Sequence, residues 1–451
     1  MSIKSIASIY CPVFLRPAFN RIANSPIGSR LATGVFWSMA GAVISRGLML
    51  AASILVARIL GKEVYGEYGI IRSTVNMFLV FAGFGLGLTA TKYVAEFRNS
   101  NPARAGRIIA ISGLFAMVTG LLVATGVLVF ADVLATRTLN APHLAGILKI
   151  GALILFLNAL NGAQTGALAG FEAFKTIAHV NLGVGLTSFP LLVGGAYFGG
   201  LEGAVWALGI NMGINWLLNH IALRKEAKRF NVPFAYKDCI KEWPVLWKFS
   251  LPATISGIVA SPIAWVCNAI LVNEPDGYGQ MAIFEAANQW RLAILFVPGM
   301  LSMIVLPMLS SLNGNNDQTR YRKVLKYNII LSGAVALAVA LPIVLLGRWI
   351  MASYGEGFMQ GYWTLVCLVL CSVLISINNV VGQAIASKNR MWIGLLFNSM
   401  WASVLLIASF FLIRQGYGAL GLAFATLMAY ILHMAWQSIY LGCVLKGKYG
   451  K

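Results

Sequence analysis

A few charged side chains lie inside otherwise apolar stretches of this chain. Arg46, Arg72 and Arg291 each lie well within such a stretch, and Glu285 is the one acidic residue that lies as deep. A charge at the centre of a bilayer costs about 2.5–3.5 kcal/mol on insertion scales, so such residues usually face a cavity and serve a function. Guanidinium groups bind phosphate through paired hydrogen bonds. The surplus of positive charge therefore predicts a cavity for an anionic ligand.

Two amides share helix faces with these charges. Asn76 follows Arg72 by one helical turn, and Gln289 follows Glu285 by the same spacing. We predict that the substrate-binding residues are Arg46, Arg72, Arg291, Lys149, Asn76 and Gln289.

Two alternatives stay open for these assignments. Lys149 lies near the start of its apolar stretch, so its ammonium group is as well suited to reach the membrane interface. Glu285 is a candidate for coupling to H⁺ or Na⁺, and equally a candidate for a structural pair with Arg72 or Arg291.

The composition indicates which elements position these residues. Of 451 residues, 59% are hydrophobic and only 11% are charged, whereas soluble domains carry about 25% charged residues. Lipid must therefore surround most of the chain, and apolar runs of about 20 residues indicate helices rather than barrel strands. We predict an all-α polytopic membrane protein.

The apolar runs predict twelve transmembrane helices in two six-helix bundles. The predicted spans are 31–58, 66–91, 107–131, 145–169, 174–198, 201–223, 246–272, 281–311, 326–348, 362–387, 391–413 and 418–444. They divide into an N-lobe (31–223) and a C-lobe (246–445). The remaining segments are an N-terminal segment (1–30), a charged linker (224–245) and a tail (446–451), all three predicted to be cytoplasmic.

Basic residues predict the orientation of the bundle. Most of the 34 lysines and arginines fall in the termini and in the even-numbered loops. Cytoplasmic loops carry such an excess, so both termini are predicted to be cytoplasmic. The net charge of +20 then suits anionic membrane lipid and calls for no nucleic-acid partner.

The two halves resemble each other in sequence. Residues 65–70 (YGEYGI) align with 278–283 (YGQMAI) at an offset of 213 residues, which also aligns Arg72 with Glu285. Further along, Gly200 aligns with Gly418 at an offset of 218. Because each half has an even number of spans, both enter from the same side and form a parallel repeat. A substrate cleft is expected between the two bundles.

A resemblance to a known family is carried by Ala57-Arg58-Ile59-Leu60-Gly61 and the following Tyr65-Gly66-Glu67-Tyr68. The chain resembles members of the multidrug/oligosaccharidyl-lipid/polysaccharide exporter superfamily, and within it the O-antigen-type polysaccharide transporters. The resemblance implies a flippase in the bacterial inner membrane that moves undecaprenyl-diphosphate-linked oligosaccharides outward for surface polysaccharide biosynthesis. It also implies that Arg46, Arg72 and Arg291 meet the diphosphate or acidic sugars, and that other polysaccharide-assembly proteins are partners.

Two other functions would require features that differ from those of this sequence. A cation-coupled multidrug exporter of the same fold is expected to carry carboxylates in its helices, whereas the first span here holds an arginine. A membrane enzyme such as a glycosyltransferase is expected to carry a sizeable loop or paired carboxylates. No connection between the predicted spans exceeds roughly 25 residues and no carboxylate pair has catalytic spacing, so no enzyme is predicted. The six cysteines show no metal-binding spacing, so no cofactor is predicted.

Overall fold

The chain is helical wherever its structure is described. The computed structural model describes residues 26–234, 236–246, 250, 259–314, 317–388 and 390–445. Over these residues the backbone forms helices joined by turns, with no strand. Helices satisfy their backbone hydrogen bonds within one segment, as a chain surrounded by lipid must. The predicted all-α fold is confirmed. The predicted N-terminal segment lies mostly outside the described residues, and the C-terminal tail lies wholly outside them.

The helices follow the predicted spans closely. In the first half they are α1 (Pro26–Leu60), α2 (Lys62–Gly83), α3 (Leu86–Phe97), α4 (Pro102–Val133), α5 (Ala145–Gly170) and α6 (Phe174–Arg229). In the second half they are α7 (Ala260–Val272), α8 (Gly277–Gly314), α9 (Gln318–Leu345), α10 (Gly347–Ser353), α11 (Tyr362–Ser387), α12 (Met391–Leu412) and α13 (Gly418–Leu445). The predicted boundaries of the N-lobe and C-lobe stay a prediction; α6 continues through the first six residues of the predicted linker.

Two glycines reverse the chain at matching points of the two halves. Helix α6 has 56 residues, about 84 Å at 1.5 Å per residue, which is far longer than the roughly 30 Å hydrocarbon core. It breaks at Gly200 (φ 56°, ψ −137°), and the equivalent Gly418 has φ 49° and ψ −129°. Side chains with a Cβ rarely adopt this conformation. The arms of α6 then pack closely, since a Cβ on Gly203 would lie 2.1 Å from the carbonyl oxygen of Gly195.

The number of membrane crossings depends on how these bends are counted. By length and hydropathy, the described part of the chain holds seven helices able to cross a membrane, or eight if α2 and α3 form one span. That count treats Phe174–Arg229 and Trp392–Leu445 as one helix each, although the chain reverses direction within both segments. The seventh predicted span is described as helix only from Ala260 onward. The number twelve therefore stays a prediction.

The second predicted span, 66–91, is not one continuous helix. It is divided between α2 and α3, which are bent by 42°. Phe84 (φ 40°) and Gly85 (φ 62°) are both left-handed. Two consecutive left-handed residues cannot continue a right-handed helix, so the chain changes direction here. Residues 66–91 are apolar throughout both helices, so hydropathy alone gives no sign of this break.

Each half packs largely within itself, and the main contact between the two is one helix crossing. In the first half, α1 lies against α6 and α4 against α5; in the second, α8, α9 and α13 lie against α11. The halves meet where α2 crosses α8 and contacts α7. The predicted repeat is visible in the hydrogen bonds: Asn161 donates to the carbonyl of Met212 (3.2 Å), and Asn378 donates to that of Tyr430 (3.4 Å).

One carboxylate attaches the predicted linker to the first half. Glu242 accepts hydrogen bonds from Arg104 Nε and Arg107 Nη2, both at 3.1 Å, and its side chain is 7% exposed. We expect Glu242→Gln to lower the free energy of unfolding by about 1–3 kcal/mol, because hydrogen bonds to charged groups contribute more than neutral ones but these arginines are partly exposed. The thermal unfolding midpoint of the detergent-solubilised protein measures this. The control is Glu274→Gln, because Glu274 lies 4.0 Å from an exposed Arg414; equal shifts in both variants would contradict the prediction.

Candidate functional site

Arg72 and Glu285 form an ion pair where α2 crosses α8. Arg72 Nη1 lies 2.8 Å from Glu285 Oε1, and Gln289 Nε2 donates to the same oxygen at 2.5 Å. The Glu285 side chain is 8% exposed and the Arg72 side chain 24%. A carboxylate this buried is tolerated as an anion only when it is paired and hydrogen-bonded. Of the two arginines that the sequence offers as partners, the structure selects Arg72.

Two glycines bring these charges together. A Cβ on Gly66 would lie 1.8 Å from the carbonyl oxygen of Tyr278, and a Cβ on Gly69 would lie 3.1 Å from the Cβ of Glu285. Small residues allow helix backbones to approach closely in a membrane. Gly69 lies one turn before Arg72 on the same face of α2. The close crossing therefore places the guanidinium of Arg72 within reach of α8.

The ion pair joins equivalent positions of the repeat. Arg72 and Glu285 are 213 residues apart, as are Gly66 and Gly279. When two halves are related by an approximate two-fold axis, equivalent residues meet each other only close to that axis. The pair therefore marks the centre of the molecule, where the two copies of the repeat have diverged into opposite charges.

A cavity opens beside this pair, between α2, α7, α8, α12 and α13. Its volume is ≈ 360 Å³. Its polar side is formed by Arg72, Asn76, Asn268, Glu285, Asn288 and Arg291. Phe284 and Leu422 contribute to its apolar side. Four of the seven predicted site residues therefore line one cavity between the halves.

Arg291 supplies the positive charge that is left after the central pair is formed. Its Nε donates to Asn288 Oδ1 at 2.8 Å, one turn back on α8. It forms no ion pair with any carboxylate of the described residues. The cavity thus combines a neutralised pair with one further guanidinium, and its net charge is positive.

Arg46 and Gln289 border a small neighbouring opening. The guanidinium carbon of Arg46 lies 5.2 Å from the ring centre of Phe296 on α8, within the range of a cation–π contact. Gln289 lines this opening together with Arg46, and lines a second small opening with Arg72. Gln289 therefore lies between the central pair and Arg46. Arg46 itself does not line the ≈ 360 Å³ cavity.

Lys149 lies apart from the other predicted site residues. Its Nζ is 3.2 Å from Asp132 Oδ2, and the side chains are 43% and 66% exposed. An exposed pair of this kind contributes little to stability. Lys149 belongs to the end of the bundle where α4 and α5 are joined, as expected of an ammonium group that reaches the interface. The apolar sequence around Lys149 did not reveal how close it lies to Asp132.

Two amides of the cavity, Asn288 on α8 and Asn268 on α7, are not among the predicted site residues. Asn268 on α7 donates to Ser73 Oγ at 2.7 Å, and nearby Trp265 donates to Thr74 Oγ1 at 2.9 Å. Both bonds cross from one half to the other. A single amide within the apolar helix Ala260–Val272 is the signal that would have identified Asn268.

Contacts at one end of the molecule hold the halves together beyond the cavity. They are Arg58 Nε to Ser353 O (2.6 Å), Lys62 Nζ to Asp276 Oδ2 (3.3 Å), Asn273 Nδ2 to Thr138 O (2.7 Å) and Tyr278 Oη to Leu139 O (2.7 Å). Toward the other end, the hydroxyls of Thr89 and Ser250 lie 2.6 Å apart. Among the described residues, more of the hydrogen bonds between the halves therefore lie at the end that carries the α1–α2 turn.

Comparison with known proteins agrees with this architecture. The profile of the polysaccharide biosynthesis protein family matches residues 31–313. The EPS I polysaccharide export inner membrane protein EpsE of Ralstonia nicotianae is 23% identical over 407 residues, covering 89% of this chain and 92% of that protein. The lipid III flippase of Escherichia coli K12 is 25% identical over 417 residues, covering 90% of this chain and 96% of that protein.

Solved structures share the fold. A multidrug resistance MATE family transporter of the MOP superfamily, in an inward-facing conformation, superposes with a TM-score of 0.70 at 16% identity, covering 92% of this chain and 99% of that one. The lipid II flippase MurJ, in an inward closed conformation, has a TM-score of 0.70 at 15% identity, covering 90% of this chain and 87% of that one. The chain belongs to the polysaccharide biosynthesis protein family.

Proposed function

We propose that this protein flips an oligosaccharide linked to undecaprenyl diphosphate from the cytoplasmic to the periplasmic leaflet of the bacterial inner membrane. The observation that carries the proposal is the cavity between the halves, where two guanidinium groups face one carboxylate. Its relatives include a polysaccharide export protein and a lipid III flippase. The natural ligand of a positive cavity in such a chain is an anionic glycolipid.

Arg291 is the residue that we propose binds the diphosphate. Arg72 is already engaged by Glu285, whereas among the described residues the guanidinium of Arg291 has a hydrogen bond to the neutral amide of Asn288 and no ion pair. A guanidinium offers five N–H donors in a planar fork that suits phosphate oxygens. Asn76 and Gln289 are proposed to position the headgroup, and Arg46 to attract it as it enters the cleft.

Glu285 is proposed to serve as the centre of the interface rather than as a coupling site. Its carboxylate has two donors in this conformation, Arg72 and Gln289. Flipping requires the halves to move against each other, and a pair on the axis between them keeps its contact during a rocking motion better than one at the rim. Coupling to H⁺ or Na⁺ through this carboxylate would require the pair to open.

The basic loops suggest which side of the cleft is accessible. With both termini in the cytoplasm, as the positive charges predict, the joined end near Lys62 and Asp276 faces the periplasm. The structure then corresponds to an inward-facing state. Substrate would enter from the cytoplasmic leaflet, and opening of the periplasmic contacts would release it.

Replacement of Arg291 tests the proposal. In a strain that lacks the gene, we expect a plasmid carrying Arg291→Gln to restore surface polysaccharide roughly ten- to hundredfold less well than the unmodified gene, because a hydrogen bond to a charged group is lost. Lipid-linked oligosaccharide should accumulate in the inner membrane. The control is Arg348→Gln, which removes a positive charge near Tyr362, outside the cavity. Full restoration by Arg291→Gln, at equal protein levels and without accumulation, would refute the assigned role.

A further inference from the structure

A second cavity lies within the second half, next to the first. Its volume is ≈ 440 Å³. It shares Ala260, Trp401 and Tyr430 with the cavity between the halves, so the two form one continuous cleft. Its remaining polar lining contains amides and imidazole in place of carboxylates, with Arg390 at the turn between α11 and α12. Apart from Arg390, the side chains that line this cavity are uncharged or apolar.

Four polar atoms in residues of this lining lack hydrogen-bond partners among the described residues. They are Asn378 Oδ1, Gln383 Oε1, Gln437 Oε1 and Trp401 Nε1. Asn378, Trp401 and Gln437 are 5%, 7% and 4% exposed. A buried polar group without a partner costs about 1–3 kcal/mol. Native proteins rarely leave several such groups around one cavity.

The repeat shows that this arrangement is particular to the second half. In the first half, Asn219 Nδ2 donates to Asn215 Oδ1 (2.9 Å) and to Asn161 Oδ1 (3.4 Å). At the equivalent position, Gln437 Nε2 bonds to His433 Nε2 at 2.8 Å. The oxygen of Asn378, which corresponds to Asn161, is left without that donor. The same framework is satisfied internally in the first half, whereas in the second half its amide oxygens have no partner among the described residues.

The mixture of unpartnered atoms identifies the chemistry of that ligand. Three are carbonyl oxygens that need a donor, and one is an indole N–H that needs an acceptor. A phosphate would satisfy only the indole, and a metal cation only the oxygens. Hydroxyl groups both donate and accept, so a ligand that carries several of them can bond to all four atoms.

We infer that this second cavity binds neutral sugar units of the translocated glycolipid through their hydroxyl groups. The inference rests on the proposed function and divides the cleft into two parts. The diphosphate binds beside Arg291, and the glycan extends past the shared residues Trp401 and Tyr430 into the cavity in the second half.

Two lipids that differ only in the glycan test this division. The first is lipid-linked oligosaccharide extracted from the strain that lacks the gene, and the second is undecaprenyl diphosphate itself. Binding of each to the full-length protein in nanodiscs is measured by microscale thermophoresis. We expect Gln437→Leu and Trp401→Phe each to reduce the preference for the glycosylated lipid roughly three- to tenfold, the effect of losing one hydrogen bond. Affinity for undecaprenyl diphosphate should not change in Gln437→Leu, because Gln437 lines the second cavity and not the first.

Trp401→Phe keeps an aromatic ring and removes the indole N–H, so it remains informative if Gln437→Leu folds poorly. The matched control is Asn219→Leu, the same kind of change at the equivalent position of the first half, which should leave the preference intact. If both test variants keep the full preference, the sugar site is refuted while the flippase proposal stands. If the unmodified protein binds neither lipid, the proposed function itself fails.

Discussion

Exchanging Arg72 and Glu285 for one another is expected to restore a protein that either single reversal disables. Breaking a buried ion pair by changing one partner costs about 3–5 kcal/mol, because the other charge stays buried without compensation. Arg72→Glu places two carboxylates, and Glu285→Arg two guanidinium groups, at the crossing of α2 and α8, where the partners now lie 2.8 Å apart. Because these positions are equivalent in the repeat, the exchanged pair meets the same geometry with the charges reversed.

Membrane-inserted protein, its thermal unfolding midpoint and surface polysaccharide are measured for all four members of this double-mutant cycle. The pair Lys62–Asp276 is the matched control: it also joins the two halves, but its side chains are 21% and 49% exposed. Reversal of that pair should change stability by no more than about 1 kcal/mol. If the effects of the two central reversals simply add in the exchanged protein, Arg72 and Glu285 do not act as a pair.

Gly66→Ala is expected to abolish polysaccharide export while the protein still inserts. The added Cβ would lie 1.8 Å from the carbonyl oxygen of Tyr278. That atom belongs to a helix backbone and cannot rotate away, so α2 and α8 must separate. Overpacking of this kind typically costs about 1–3 kcal/mol and sometimes more, and here it also displaces Arg72 from Glu285. Complementation and the unfolding midpoint measure the two consequences.

Gly113→Ala on α4 provides the control for this substitution. A Cβ at Gly113 meets no atom within 4 Å, so the change should be neutral or stabilise the helix by up to about 1 kcal/mol. Export at the normal level in Gly66→Ala would show that the close crossing is not needed during transport. Loss of export in both variants would point to a general effect of alanine in these helices.

Several features of the cleft can be predicted from the sequence because they depend on the properties of single residues or short segments. Burying a charge in an apolar stretch costs free energy whatever the stretch packs against. The sequence alone therefore identifies Arg72, Glu285 and Arg291 as candidate functional residues. The repeat placed Gly200 opposite Gly418, and both glycines have the conformation that reverses the chain. Helices follow from the need of the backbone to bond within its own segment.

Pairing between side chains depends on which helices pack against each other, and the hydropathy of the sequence does not determine this. The sequence left Arg72 and Arg291 equally open as partners of Glu285, and only the crossing of α2 over α8 decided between them. Lys149 is predicted from sequence to bind substrate, but the structure places it beside Asp132, away from the cleft. The break at Phe84 and Gly85 was hidden because a change of backbone direction leaves the apolar pattern intact.

By itself, then, the sequence determined that this is a helical membrane protein with an internal repeat and costly positive charges in its interior. The tertiary structure decided which of those charges are neutralised, which one remains available to a ligand, and where amide oxygens are left without partners. The physical reason is that burial cost belongs to single residues, whereas pairing and cavities belong to residues that the fold brings together from distant parts of the chain.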